Sequence, residues 1–142
     1  PIEVKPLLDE VAEMASSDDI AIQVDPPPFE ELRADRAQLR RALLNLARNA
    51  VQAATAAEKS GKDAVRLSAA RTDDKVTISV WNRGTEISPE TSGKLFEPFY
   101  TTREKGTGLG LAFVREIAID HGGSVEVASA DGETTFRLIL PA

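Results

Sequence analysis

The sequence has no cysteine and only one histidine, His121. The first absence excludes disulfides, thiolate catalysis and Cys-ligated zinc, and it suits a reducing compartment. The second leaves no histidine cluster for a metal and argues against a His-based catalytic triad. No apolar run is long enough to cross a membrane as a helix, and no signal-peptide pattern is present. Positive charge is in short supply: 17 Lys and Arg stand against 23 Asp and Glu, for a net charge of −6. That balance argues against nucleic acid or an anionic membrane as the main partner, while a small basic pocket within an acidic surface stays compatible with it. The chain opens at Pro1 without a Met, so a piece of a longer protein is expected.

What is present is an ordinary globular composition, 142 residues with 42% hydrophobic and 28% charged, enough for one domain with its own core. Val4, Leu7, Leu8 and Val11 predict a helix to about Ala15. Ile20, Ile22 and Val24 alternate as a strand, closed by Pro26-Pro27-Pro28, and a short strand is expected over Glu31–Arg33. Asp35 caps a long helix, with Gln38 at the capping-box position, running to about Glu58 and stopped by Ser60-Gly61. Val65, Leu67 and Ala69, then Val76, Ile78 and Val80, read as a hairpin across Thr72-Asp73-Asp74-Lys75. Ser88-Pro89-Glu90 starts a short helix with Pro at its first position. Leu111 to Asp120 is the last helix, closed by His121-Gly122-Gly123. Two strands follow, around Val125 and Val127 and around Phe136, Leu138 and Leu140, with Asp131-Gly132 as their turn. The expected fold is a two-layer α/β sandwich, one mixed, mostly antiparallel sheet packed on one layer of helices.

The segment Gly106-Thr107-Gly108-Leu109-Gly110-Leu111 leads straight into the last helix. Alternating glycines let backbone approach a ligand closely, and a helix N-terminus offers unpaired N–H groups to an anion such as phosphate. A tight loop before a core helix explains the same residues. On the long helix, Leu39, Leu43, Leu46 and Ala50 share a stripe at roughly 100° per residue. Asn45, Asn49 and Gln52 form a second stripe beside it, expected to flank the core. Such amides either bond local backbone or offer a hard neutral oxygen to Mg²⁺ that keeps its waters and phosphates. Asn82 has the parity of Val76, Ile78 and Val80, so it is expected at the inward end of its strand. There it either reads a purine edge or initiates the turn with Gly84. Thr134 shares a face with Phe136, Leu138 and Leu140, as a base contact or as a plain strand residue.

Taken in order, Asn45-x-x-x-Asn49-Ala50, Asn82-x-Gly84, Phe96-Glu97-Pro98-Phe99, Gly106 to Leu111 and Thr134-Thr135-Phe136 resemble the catalytic ATP-binding domain of a sensor histidine kinase. Its fold is of the Bergerat, or GHKL, type. The short link from Thr102 to Gly106 is most similar to the nitrogen-regulation subgroup. Residues 1–8 resemble the linker that follows a histidine-bearing helical hairpin, with residues 1–142 forming a single catalytic domain. The resemblance implies ATP and Mg²⁺ as cofactors, with Asn49 as the metal ligand and Asn45, Lys105 and Arg103 in catalytic roles. It implies nucleotide contacts from Asn45, Asn49, Gln52, Ala53, Asn82, Gly84, Ile87, Thr101, Thr102, Lys105, Gly106, Thr107, Gly108, Leu109, Gly110, Leu111 and Thr134. Ile87 and Leu109 would wall the base pocket. Phe96 and Phe99 would form the aromatic box that packs the lid. The implied partners are a histidine-bearing dimerisation domain of the same parent and, downstream, a response regulator receiver domain, with no nucleic acid and a monomeric isolated domain. A cytoplasmic location is implied, and the anchoring of the parent is left open.

The chain departs from the family pattern at three positions. Asn82 replaces an Asp that accepts from the adenine amino group, Glu86 replaces a second glycine, and Gln52 replaces a Lys, with the lid cations or Arg48 as candidates to compensate. Related hydrolases carry Glu where Asn45 stands. An amide is no general base near neutral pH, which favours transfer over hydrolysis. His121 is expected to be structural, a positive imidazole at a helix C-terminus, and so not the phosphate acceptor. A serine kinase of the anti-sigma type and a degenerate nucleotide-binding module are the rival readings.

Overall fold

The computed structural model describes residues 1–59, 61, 63–84, 87–92, 94–97 and 110–142. The chain order is β1 (Ile2–Glu3), α1 (Val4–Ala15), β2 (Gln23–Val24), β3 (Glu31–Leu32), α2 (Arg36–Ala56), β4 (Val65–Arg71), β5 (Lys75–Arg83), α3 (Pro89–Ser92), α4 (Gly110–Asp120), β6 (Ser124–Ala130) and β7 (Glu133–Pro141). Five strands form one sheet in the order β2-β4-β5-β7-β6, parallel only between β2 and β4. A separate two-stranded pair, β1 and β3, joins the chain's start to the segment before α2.

Alternation decides which sheet face is covered. Val76, Ile78, Val80 and Asn82 of β5 are all buried, as are Thr134, Phe136, Leu138 and Leu140 of β7. The α1, α2 and α4 helices pack on that face and add fully buried Leu7, Leu8, Leu39, Leu43, Leu46 and Val114. The opposite face carries polar residues and Trp81, whose indole N–H donates to Glu133 Oε1 at 2.9 Å. Residues 1–8 do more than lead into the domain, because Val4, Leu7 and Leu8 are wholly buried in its core.

Three local expectations change. The strand expected over Ile20–Val24 is reduced to Gln23–Val24, and Ile20 makes only an isolated bridge to Gly61. Both Ile20 and Ile22 are buried, so their alternation records core contact, not sheet pairing. The α2 helix ends at Ala56, before the predicted glycine stop. Glu58 takes the left-handed conformation, φ 59°, and the chain closes with Glu58 N–H to Thr55 O and Lys59 N–H to Ala54 O. This is the hydrogen-bond pair of a Schellman ending made without glycine.

The third change concerns the capping box. Asp35 Oδ1 accepts from the Gln38 N–H at 3.0 Å, as expected, but the Asp35 N–H goes to His121 Nε2, also at 3.0 Å. His121 Nδ1 lies 2.8 Å from Ile117 O. A carbonyl can only accept, so Nδ1 carries the proton and Nε2 is the acceptor. The ring is therefore neutral, not the positive imidazole expected, and it ties the C-terminus of α4 to the N-cap of α2. Gly122 and Gly123 close α4 with N–H bonds to Ile119 O and Ala118 O. Gly123 has a second reason to be glycine: a Cβ there would lie 1.9 Å from Ile139 O of β7.

Candidate functional site

The site gathers where the C-terminal end of β5, the start of β7 and the inner face of α2 meet. Asn82 pairs with Thr134 across β5 and β7, and both are polar side chains buried on the apolar face, at 2% and 3% exposure. Buried polar groups persist where they are bonded or where they serve a ligand. The Asn82 Nδ2 donates to the Arg83 carbonyl at 3.1 Å, which leaves Oδ1 as the accepting arm of the amide. A Cβ on Gly84 would come within 3.0 Å of that Nδ2 and 3.3 Å of Ala53 O, so glycine lets α2 and the β5 end close together. The buried Gly84 N–H is satisfied by Gly132 O.

Beside this pair, Ser129 Oγ accepts from the Ile87 N–H at 2.8 Å and lies 2.8 Å from Thr134 Oγ1. Ser129 belongs to no motif, and the sequence patterns do not single it out. It is recoverable by counting, because the Asp131-Gly132 turn sets Ala130 opposite Glu133 and therefore Ser129 opposite Thr134. Ile87 packs on the core and is held at the rim by this hydroxyl. Phe96 meets Phe136 edge to face, with ring centroids 6.0 Å apart.

On α2, Asn45 and Asn49 are half-buried one turn apart, whereas Gln52 is exposed. The amide stripe therefore flanks the core only at its first two members. Gly110, the first residue of α4, lies over Asn45: a Cβ there would be 3.5 Å from Asn45 Oδ1. Leu111 packs against the core next to it. An open groove of about 520 Å³ runs from Asn45 and Gly110 along Arg48, Arg41 and Phe113. The structure thus gathers Ala53, Asn82, Gly84, Ile87 and Thr134 around the ends of β5 and β7. It sets Asn45 under Gly110 about 12 Å back along α2 from Ala53, with Asn49 between them on the helix and Leu111 on the core beside Gly110. Thr101, Thr102, Arg103, Lys105, Gly106, Thr107, Gly108 and Leu109 lie outside the described residues, as do Glu86 and Phe99.

Among the described residues no three His, Cys, Asp or Glu side chains cluster to hold a metal. The Asn49 amide instead fits a hard cation that brings most of its ligands with it as water and phosphate. No described helix is long and apolar enough to cross a membrane.

The family described as histidine kinase-, DNA gyrase B-, and HSP90-like ATPase matches residues 34–142. The nitrogen regulation protein NtrY of Azorhizobium caulinodans is 38% identical over 128 residues, 87% of this chain and 17% of that protein. The sensory histidine kinase/phosphatase NtrB of Rhizobium leguminosarum bv. phaseoli is 35% identical over 160 residues, spanning 100% of this chain and 41% of that protein. The chain thus spans less than half the length of either curated relative. Among solved structures, the nucleotide-free catalytic domain of the histidine kinase ThkA superposes with a TM-score of 0.80 at 30% identity, covering 99% of this chain and 93% of that one. With its two-layer fold, its paired amides on α2 and its buried Asn82–Thr134 pair, the chain belongs to the histidine kinase-, DNA gyrase B- and HSP90-like ATPase family, as a catalytic domain of the sensor histidine kinase kind.

Proposed function

We propose that this chain binds ATP with Mg²⁺ and donates the γ-phosphate to a histidine on a separate dimerisation domain of the same parent. A response regulator receiver domain then takes the phosphate onward. The observation that carries the reading is an amide, Asn45, beside Gly110 at the start of α4. An amide cannot take a proton from water near neutral pH, so Asn45 is no base for hydrolysis. Phosphoryl transfer asks mainly for positioning and charge neutralisation. When bound, Mg²⁺ supplies part of that neutralisation. Asn49 would hold it through its amide oxygen, and Asn82 Oδ1 and the Thr134 hydroxyl would orient the base. Lys105 and Arg103 are proposed as lid cations, and the Gly106 to Leu111 backbone as phosphate donors.

The acceptor lies elsewhere. His121 is the one histidine of the chain, and both its ring nitrogens are engaged between α4 and Asp35. Asp35 is ten residues from Asn45, about 15 Å along α2. With radiolabelled ATP and Mg²⁺ the chain alone stays unlabelled, and a histidine-bearing hairpin supplied in trans becomes labelled. Acid-labile label on His121 would overturn the reading. We place the domain in the cytoplasm.

A further inference from the structure

Gln52 stands where the resemblance leads one to expect a Lys, so α2 does not supply a cation at that position. The arginines of α2 differ in what they are committed to. Arg36 donates to Glu10 Oε2 at 2.6 Å, and Arg40 Nε lies 3.2 Å from Glu10 Oε1. The Arg41 guanidinium stacks over the Phe113 ring at 3.9 Å. Among the described residues Arg48 has no ion-pair or hydrogen-bond partner. It is exposed, and it lines the same groove as Asn45 and Gly110. Among the described residues no acidic side chain lines that groove. Arg48 also precedes Gln52 by four residues, about one helical turn or roughly 6 Å along the axis, a step that a long side chain spans.

We infer that Arg48 is the residue that meets the γ-phosphate of bound ATP, taking the place of the absent Lys. The inference rests on the nucleotide-binding reading above and adds the residue that tells a triphosphate from a diphosphate. A guanidinium suits the task because its planar fork matches two phosphate oxygens and it stays charged at any working pH. An arginine with no ion pair among the described residues also meets the ligand without first breaking one of those pairs.

The test is calorimetry of ATP and ADP, each with Mg²⁺, on the chain and on Arg48→Ala, Arg48→Lys and Arg71→Ala. Arg71 is exposed at the far end of β4, opposite Val76, and its replacement removes the same charge away from the site. Arg48→Ala should weaken ATP roughly tenfold and ADP by less than about twofold, the scale of one lost charge-assisted bond. Arg48→Lys should keep part of the preference for ATP, and Arg71→Ala should leave both affinities alone. Equal losses for the two nucleotides, or no loss of ATP affinity, would overturn the inference while nucleotide binding stands. If the unaltered chain bound neither nucleotide, both readings would fall together.

Discussion

Glu58 shows how much one backbone angle can hide from a sequence reader. A left-handed conformation costs an L-residue about 1–2 kcal/mol, and glycine avoids it at some entropic cost in the unfolded chain. Gly61 reads as the stop of α2 because glycine is the common solution, yet Glu58 takes the angle. Glu58→Gly should therefore raise stability by about 0.5–1 kcal/mol in a denaturant titration. A destabilised variant would mean that the Glu58 side chain contributes more than its backbone costs. Asn82 and Thr134 are the opposite case. A strict two-residue period is enough to put both on the apolar face, and both are buried there. Ser129 escapes that pattern because its role depends on register across a hairpin, one counting step beyond periodicity.

At the scale of elements, α2 is fastened on two sides. His121 joins it to α4 through a backbone N–H, a link between residues 86 apart that no local pattern could reveal. His121→Ala should cost about 1–2 kcal/mol, the range for a bond whose loss leaves a donor short of its partner. His121→Gln, which returns an acceptor near the Nε2 position, should recover part of it. Equal stabilities for the two variants would show that the ring acts by packing alone. On the other side, the Arg36 guanidinium hydrogen-bonds Glu10 and holds its carboxyl below the usual glutamate range, with Arg40 adding to the effect. A carboxylate with a lowered folded-state pKa contributes stability above its unfolded pKa and loses it as pH falls through the folded value. The gap in melting temperature between the chain and Glu10→Gln should be present at neutral pH and close in acid. A gap independent of pH would assign the link between α1 and α2 to packing. The pair is exposed, so added salt should narrow the gap as well.

For the molecule as a whole, sheet, helices and turn residues are legible because period, caps and the Asp-Gly turn all point one way. The glycine-rich segment before α4 is legible only as a sequence motif, since residues 98–109 lie outside the described residues. A ligand that binds only the folded state raises the unfolding midpoint by mass action. ATP should raise the melting temperature of the chain more with Mg²⁺ than without it. Asn49→Ala should erase that difference while leaving the ligand-free melting temperature nearly unchanged, because Asn49 is only half-buried. A Mg²⁺-dependent shift that survives the change would remove Asn49 from the metal. The chain also carries its own optical probe. Trp81, its one tryptophan, precedes Asn82 on β5 and is bonded to Glu133, the neighbour of Thr134. Its indole lies on the opposite sheet face from Asn82 and Thr134, so a base held by that pair would not stack on it, yet it shares backbone with both residues. Its emission should shift in wavelength when nucleotide tightens that corner, giving a label-free fluorescence signal of occupancy.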